Sequence, residues 1–369
     1  MAGKSAKGTE TRSGPEVRSG RLRVLLSELG ADALVVSHLP NVRYLCGFSG
    51  SAGVLFVERT KSTLFTDARY TFQAREEVVG AEIRIAKKGI LRALREALRV
   101  RRRRLRVAYS PAHMTVAEKQ LLEQGTGVRW VADGNVVERL RAVKDAEELA
   151  SIRTAAILIS DVFRRALPLI RPGASELELA AEIEHGVKRG GGSGPSFETI
   201  VASGPRSAWA HARPTSKLLR KSELVVLDQG AIIAGYCSDM TRTVHMGRAS
   251  AKARSLYQAV LEAQQAGKQA IRPGATAADV DRAARASLKS SQLDRYFTHS
   301  TGHGLGLEVH EMPRLAKGEQ TVLREGMVLT VEPGVYLEGF GGIRIEDDVI
   351  VTPNGYDDLT TAPRDFLEL

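Results

Sequence analysis

Ile170-Arg171-Pro172-Gly173-Ala174 recurs downstream as Ile271-Arg272-Pro273-Gly274-Ala275, and this echo decides the fold. Each copy is followed by a hydroxyl residue, Ser175 or Thr276, and then by a helical stretch running to Lys188 or Lys289. Val225-Val226-Leu227-Asp228-Gln229-Gly230 is answered by Leu329-Thr330-Val331-Glu332-Pro333-Gly334. Ser238-Asp239 is answered by Ile345-Glu346, and His211-Ala212-Arg213-Pro214 by His310-Glu311-Met312-Pro313. A single five-residue match arises by chance. Four landmarks in the same order mark a duplicated unit. Residues 140–369 therefore read as two related α+β halves facing each other, with a site at their junction.

Upstream of the repeat the pattern changes. With 369 residues there is room for about two domains of ~150 residues. Residues 1–20 are polar and rich in Gly, Ser and Lys, and are expected to be a disordered tail. A helical pattern begins at Arg21, runs through Leu22, Leu25 and Leu29, and is closed by Gly30. Ala33–Val36, Val54–Val57 and Thr63–Thr66 read as strands, and Tyr70–Val79 as a helix. This alternation predicts an α/β domain over residues 21–139. Asp145, with Glu148 three residues on, forms a capping-box pattern that opens a long helix of the second domain.

Composition excludes several classes. Hydrophobic residues make up 43% and charged residues 26%, the ordinary globular mix. No apolar run approaches the ~18 residues of a membrane span. The start carries Lys4, Lys7 and Arg12 without an apolar stretch of the secretory type, and only Cys46 and Cys237 occur. A cytoplasmic protein without a disulfide framework is expected. The net charge of +10 sits in the first 140 residues, densest at Arg101–Arg104. That run ends an amphipathic stretch (Leu91, Leu94, Leu98) and has no interleaved aromatics, which argues against nucleic acid.

The chemistry lies in the repeat. Asp228 and Glu332 end hydrophobic strands, and Asp239 and Glu346 follow 11 and 14 residues later, a spacing suited to β-hairpins. Burying an unpaired carboxylate is costly, so four in equivalent places need a positive partner. Divalent metals supply one. Phe297–Glu311 adds His299, His303 and His310 among glycines that permit close backbone approach. One histidine with four carboxylates makes an oxygen-rich site, favouring Mn²⁺, with Co²⁺ and Zn²⁺ as alternatives. Two such ions sharing carboxylates would activate a water and polarise a carbonyl. His38, His113, His185 and His245 stand alone and read as ordinary surface or core histidines. Asp347 reads as the partner of a cation or a turn cap.

Taken together, Leu227-Asp228-Gln229-Gly230-Ala231, Ser238-Asp239-Met240-Thr241-Arg242-Thr243, Thr301-Gly302-His303-Gly304, Val331-Glu332-Pro333-Gly334 and Arg344-Ile345-Glu346-Asp347 resemble the M24 metallopeptidases of pita-bread fold. Asn41–Gly53 resembles the creatinase/prolidase-type N-terminal domain of the proline-specific branch. The resemblance implies a dinuclear enzyme cutting the bond between an N-terminal residue and proline. It favours an Xaa-Pro aminopeptidase, with an Xaa-Pro dipeptidase (prolidase) as the alternative. A non-catalytic module on the same fold is disfavoured, since all five ligand positions are filled. It implies Asp228, Asp239, His303, Glu332 and Glu346 as ligands of two metals, with Asp239 and Glu346 bridging. Glu332 would also handle the proton of the attacking water. His211 and His310 would hold the substrate carbonyl, His299 would shape the proline pocket, and Arg344 would orient Glu346. A homodimer acting on Xaa-Pro peptides is implied. One departure stands out: Ala210 occupies the place of the usual proline before His211, which would loosen that loop.

Overall fold

The computed structural model describes residues 14–101 and 104–369. The chain divides into two compact units between Arg141 and Ala142.

The first unit is built on one six-stranded mixed sheet. Its strands are β1 (Ala33–Val36), β2 (Gly53–Glu58), β3 (Ser62–Asp67), β4 (Glu82–Ala86), β5 (Arg106–Tyr109) and β6 (Arg129–Ala132), in the order β4-β3-β2-β1-β5-β6. Its helices are α1 (Gly14–Glu28), α2 (Leu39–Cys46), α3 (Thr71–Glu77), α4 (Ile90–Arg99), α5 (Val116–Glu123) and α6 (Val136–Arg141). The expected α/β domain is what forms. Helix α1, however, starts at Gly14 rather than Arg21. Arg18 Nη1 donates to Tyr44 O at 3.3 Å and Ser19 Oγ donates to Leu45 O at 3.1 Å. Docking on α2 orders a polar segment that has too little apolar surface to order alone. Residues 1–13 of the expected tail lie outside the described residues. In the basic run, Arg101 pairs with Glu58 at 2.8 Å, while Arg102 and Arg103 lie outside the described residues.

In the second unit the repeat is visible bond by bond. Helix α7 (Ala146–Ala166) precedes α8 (Glu176–Arg189), and α9 (Ala251–Gln269) precedes α10 (Ala277–Ser290). Asp145 and Glu148 form the expected capping box of α7. Ser175 and Glu178 form one at the start of α8, Thr276 and Asp279 one at the start of α10. Gly173 and Gly274 take φ of 90° and 89°, a left-handed turn that suits glycine. Gly173 N–H donates to Leu219 O and Gly274 N–H to Leu323 O, both at 3.0 Å. Leu219 and Leu323 donate back to Ala174 O and Ala275 O, both at 2.8 Å.

The first half carries the sheet β11-β8-β7, made of β7 (Ile200–Ser203), β8 (Leu224–Gln229) and β11 (Met240–His245). A small ribbon of β9 (Ile232–Ile233) and β10 (Tyr236–Cys237) interrupts it. The second half carries β13-β12-β14-β17-β18, made of β12 (Gly302–Gly304), β13 (Glu311–Leu315), β14 (Val328–Val331), β17 (Asp347–Thr352) and β18 (Gly355–Asp358). Its inserted ribbon is β15 (Gly334–Leu337) with β16 (Gly341–Arg344). The 11- and 14-residue spacings are thus not plain hairpins. Each antiparallel pair, β8–β11 and β14–β17, has a second small ribbon spliced into its turn.

Candidate metal centre

The two halves deliver their carboxylates by the same device. Asp228 lies in β8, directly opposite Thr241 of β11, and Asp239 stands just before β11. Glu332 stands just after β14, and Glu346 just before β17, where Val331 pairs with Asp347. Glu346 N–H donates to Thr241 O at 3.1 Å, stitching the second half to the first at this point. His303 enters from β12, whose flanking glycines are sterically required. A Cβ on Gly302 would lie 2.0 Å from Thr330 O, and one on Gly304 2.2 Å from Met312 O.

Among the described residues, Asp239, His303 and Glu346 offer ligand atoms that all lie within 4.8 Å of one another. His303 Nδ1–H donates to Gly304 O at 3.0 Å, which aims Nε2 at Glu332 Oε1 (3.3 Å) and Asp239 Oδ2 (3.8 Å). Asp228 Oδ1 and Asp239 Oδ1 are buried without a hydrogen-bond partner. Orphaned carboxylate oxygens at a junction of four acidic side chains are the donor set a divalent cation takes.

The electrostatics agree. Burial, then the charges of Glu346, Asp228, Asp348 and Glu332, raises Asp239 well above its ordinary value. Burial, then Glu332 and Asp228, does the same to Glu346. Burial also pushes Glu332 upward, but the hydrogen bond and charge of His303, with His299 and Arg344, hold it down to about 2. Negative charge is therefore compensated at Glu332 and left in excess at Asp239 and Glu346, where a cation would be drawn.

Arg344 reaches further than expected. Its Nη2 donates to Asp228 Oδ2 at 2.6 Å, and its Nε donates to Thr241 Oγ1 at 2.9 Å. Thr241 Oγ1 in turn donates to Glu346 Oε2 at 2.6 Å. Arg344 thus grips Asp228 directly and reaches Glu346 only through Thr241. Two residues along an extended strand span ~7 Å, and the guanidinium crosses to β8 and β11 of the first half instead. Its Nη1 also donates to Tyr336 OH (2.9 Å) and to Ala210 O (3.1 Å). The second bond fastens the loop that Ala210 was expected to loosen.

The remaining histidines gather around this frame. His299 Nδ1–H donates to Ser300 O at 2.8 Å, and its Nε2 accepts from Tyr336 OH at 2.8 Å. His299 is thereby chained through Tyr336 to Arg344 and Asp228. The rings of His303 and His310 meet edge to face at 4.4 Å. Burial, then the charge of His303, lowers His310, with His211 adding to the effect. His211 itself is exposed. Asp347 pairs with a cation, as read, and in fact with three: Arg242 (2.8 Å), Lys268 (3.0 Å) and Arg364 (2.5 Å). Sequence reading missed Thr241, Tyr336 and Asp348. Asp348 Oδ2 accepts from Asp239 N–H at 2.9 Å and so holds that residue in place. The unbroken acidic run Glu346-Asp347-Asp348 is the available signal for Asp348, while nothing in the sequence sets Tyr336 apart from other strand aromatics.

Comparison with known proteins accords with this architecture. Residues 18–143 match the creatinase/prolidase N-terminal domain, and residues 150–353 match metallopeptidase family M24. The chain is 39% identical over 352 residues to the peptidase YqhT of Bacillus subtilis (strain 168), covering 95% of this chain and 99% of that one. The structure of an Xaa-Pro dipeptidase from Bacillus anthracis is similar at 36% identity and a TM-score of 0.93, over 96% of this chain and all of that one. An X-Pro aminopeptidase from Thermotoga maritima MSB8 is similar at 34% identity and a TM-score of 0.88, over 95% and 99%. With both of its units matched and a metal-binding cluster at the junction of its halves, the chain belongs to metallopeptidase family M24 and is a metallo-exopeptidase.

Proposed function

We propose that this enzyme is an Xaa-Pro dipeptidase dependent on two divalent metal ions. The carrying observation is the Asp239–His303–Glu346 cluster with its orphaned carboxylate oxygens. Asp228 would hold one ion, His303 and Glu332 the other, and Asp239 and Glu346 both. Bound there, the ions would supply Lewis acidity toward a water and toward the scissile carbonyl. Mn²⁺ suits this oxygen-rich set, with Co²⁺ or Zn²⁺ as alternatives.

The chain's own residues would do the rest. Glu332, beside His303 Nε2, would take the proton of the attacking water and return it to the proline nitrogen. His310 and His211 would donate to the carbonyl oxygen as it gains charge, a kind of contact worth ~3–4 kcal/mol of barrier elsewhere. His299, locked between Ser300 and Tyr336, would present a fixed wall to the pyrrolidine ring. An Xaa-Pro bond lacks the amide N–H that general peptidases grip, so a ring-shaped pocket replaces that contact. Buried free thiols at Cys46 and Cys237 suit a reducing compartment such as the cytoplasm. A homodimer acting on Xaa-Pro substrates completes the reading.

The sequence favoured the aminopeptidase form, on Gly47–Gly53. The comparisons lend more support to the dipeptidase form, since relatives matching most of the chain are named Xaa-Pro dipeptidase or prolidase. The Thermotoga aminopeptidase keeps the other reading in play. The test is hydrolysis of Ala-Pro and Ala-Pro-Ala by metal-stripped protein before and after Mn²⁺. Metal-dependent cleavage of Ala-Pro alone is expected. Cleavage of the tripeptide would establish the aminopeptidase, and cleavage of neither with Mn²⁺, Co²⁺ or Zn²⁺ would overturn both.

A further inference from the structure

The second unit also holds a concavity of about 250 Å³, lined by Ser222, Leu224, His245, Arg248, Ser250 and Phe340 along with Ala249. None of the residues implied in metal binding or catalysis takes part in it. His245, read from sequence as an ordinary histidine, is only 4% exposed yet lines this space. Its Nδ1 bonds Gly247 O at 2.8 Å. A carbonyl only accepts, so Nδ1 carries the proton, and Nε2 of the neutral ring bears a lone pair. With Nδ1 spent on Gly247, Nε2 is the one polar atom the ring has left for the concavity. No hydrogen bond to it forms among the described residues. Its remaining ring neighbour is Phe366, edge-on at 6.2 Å.

The one charged side chain of the lining, Arg248, is positive. Arg248 is exposed and forms no ion pair or hydrogen bond among the described residues, whereas nearby Arg254 is paired with Glu368. Helix α9 begins here, capped by Ser250, whose Oγ accepts from Ala253 N–H at 3.1 Å. The earliest amides of a helix have no partner within it and carry the positive end of its dipole. Among the described residues, no acidic side chain is part of the lining. Leu224 and Phe340 give it an apolar wall, and Lys252 Nζ lies 4.3 Å from the Phe340 ring centroid.

We propose that this concavity binds an oxyanion that still carries a proton at mildly alkaline pH, namely hydrogen phosphate. Arg248 and the start of α9 meet the negative charge. The O–H of the phosphate donates to His245 Nε2. Sulfate has no O–H to give, so its oxygen faces the lone pair of the neutral ring and is disfavoured. The concavity is of a size for one such group rather than for a large ligand.

Calorimetric titration of the metal-loaded full chain with inorganic phosphate and with sulfate tests this, at mildly alkaline pH. Saturable phosphate binding, about tenfold tighter than sulfate, is expected. Arg248→Glu, a surface change expected to leave the melting temperature unaltered, should weaken phosphate by about tenfold or more. Asp239→Ala, which disables the metal centre, should leave it intact. Equal binding of the two anions, or phosphate binding that ignores Arg248→Glu and vanishes in Asp239→Ala, would overturn the proposal.

Discussion

At the scale of single residues, Arg344 concentrates the most consequences. Its guanidinium donates to Asp228, Thr241, Tyr336 and Ala210 at once. A lysine carries the same charge but not the planar set of donors. Arg344→Lys should lower kcat/KM by ~10–100-fold, the range seen when a partner of a metal ligand is lost. Steady-state kinetics at saturating Mn²⁺ would check it, and an unchanged value would show that Asp228 needs no such clamp. Asp239 lends itself to a test of opposite sign. Burial and four neighbouring carboxylates oppose its charge. Asp239→Asn should therefore stabilise the metal-free protein by about 1–3 kcal/mol while abolishing activity. Metal-free melts of both proteins decide this, and a lower midpoint in the variant would count against it.

At the scale of elements, the repeat rests on two helix starts built alike. Ser175 and Thr276 each accept from the backbone three residues on, and Glu178 and Asp279 reach back. Ser175→Ala or Thr276→Ala should cost about 1 kcal/mol in a urea melt. The carboxylates add a pH signature. Hydrogen bonds from the backbone and side chain of Ser175 lower Glu178, and those of Thr276 lower Asp279. A carboxylate lowered on folding contributes stability above its unfolded pKa and loses it as pH falls through the folded value. Glu178→Gln should thus matter most at neutral pH and cease to matter in acid below the ordinary carboxylate range. Urea midpoints at the two conditions are the measurement, and a pH-independent difference would rule the mechanism out.

At the scale of the whole second unit, the halves are held by a buried charge cluster. Asp347, fully buried, receives Arg242, Lys268, Arg364 and Gln264 Nε2. Arg242 also donates to Glu346 O (2.6 Å), Pro363 O (2.8 Å) and Ala362 O (2.9 Å). One side chain thereby joins β11 of the first half, the start of β17 in the second, and the final segment of the chain. Burial pushes Asp347 up, but the three cations outweigh it and hold it below its ordinary value. Asp347→Ala would leave buried cations uncompensated and should cost about 3–5 kcal/mol. Denaturant unfolding would show it, and a loss below about 1 kcal/mol would mean the cluster relaxes through water.

The two-domain α/β plus pseudo-two-fold α+β architecture was legible because it is written in local signals. Proline-glycine turns, capping boxes and apolar strands act over a few residues, so their recurrence shows without coordinates. The acidic cluster was legible too, since carboxylates in strand-like runs are costly to bury alone. Tertiary structure decided what depends on approach across the chain. It placed the grip of Arg344 on Asp228 rather than Glu346, and it recruited Tyr336 and Asp348. It inserted a ribbon into each strand pair, ordered α1 from Gly14, and gave Asp347 three cations. Apart from the ribbons, which are short local hairpins, these rest largely on contacts between residues distant in sequence, and such contacts are set by how strands and helices pack.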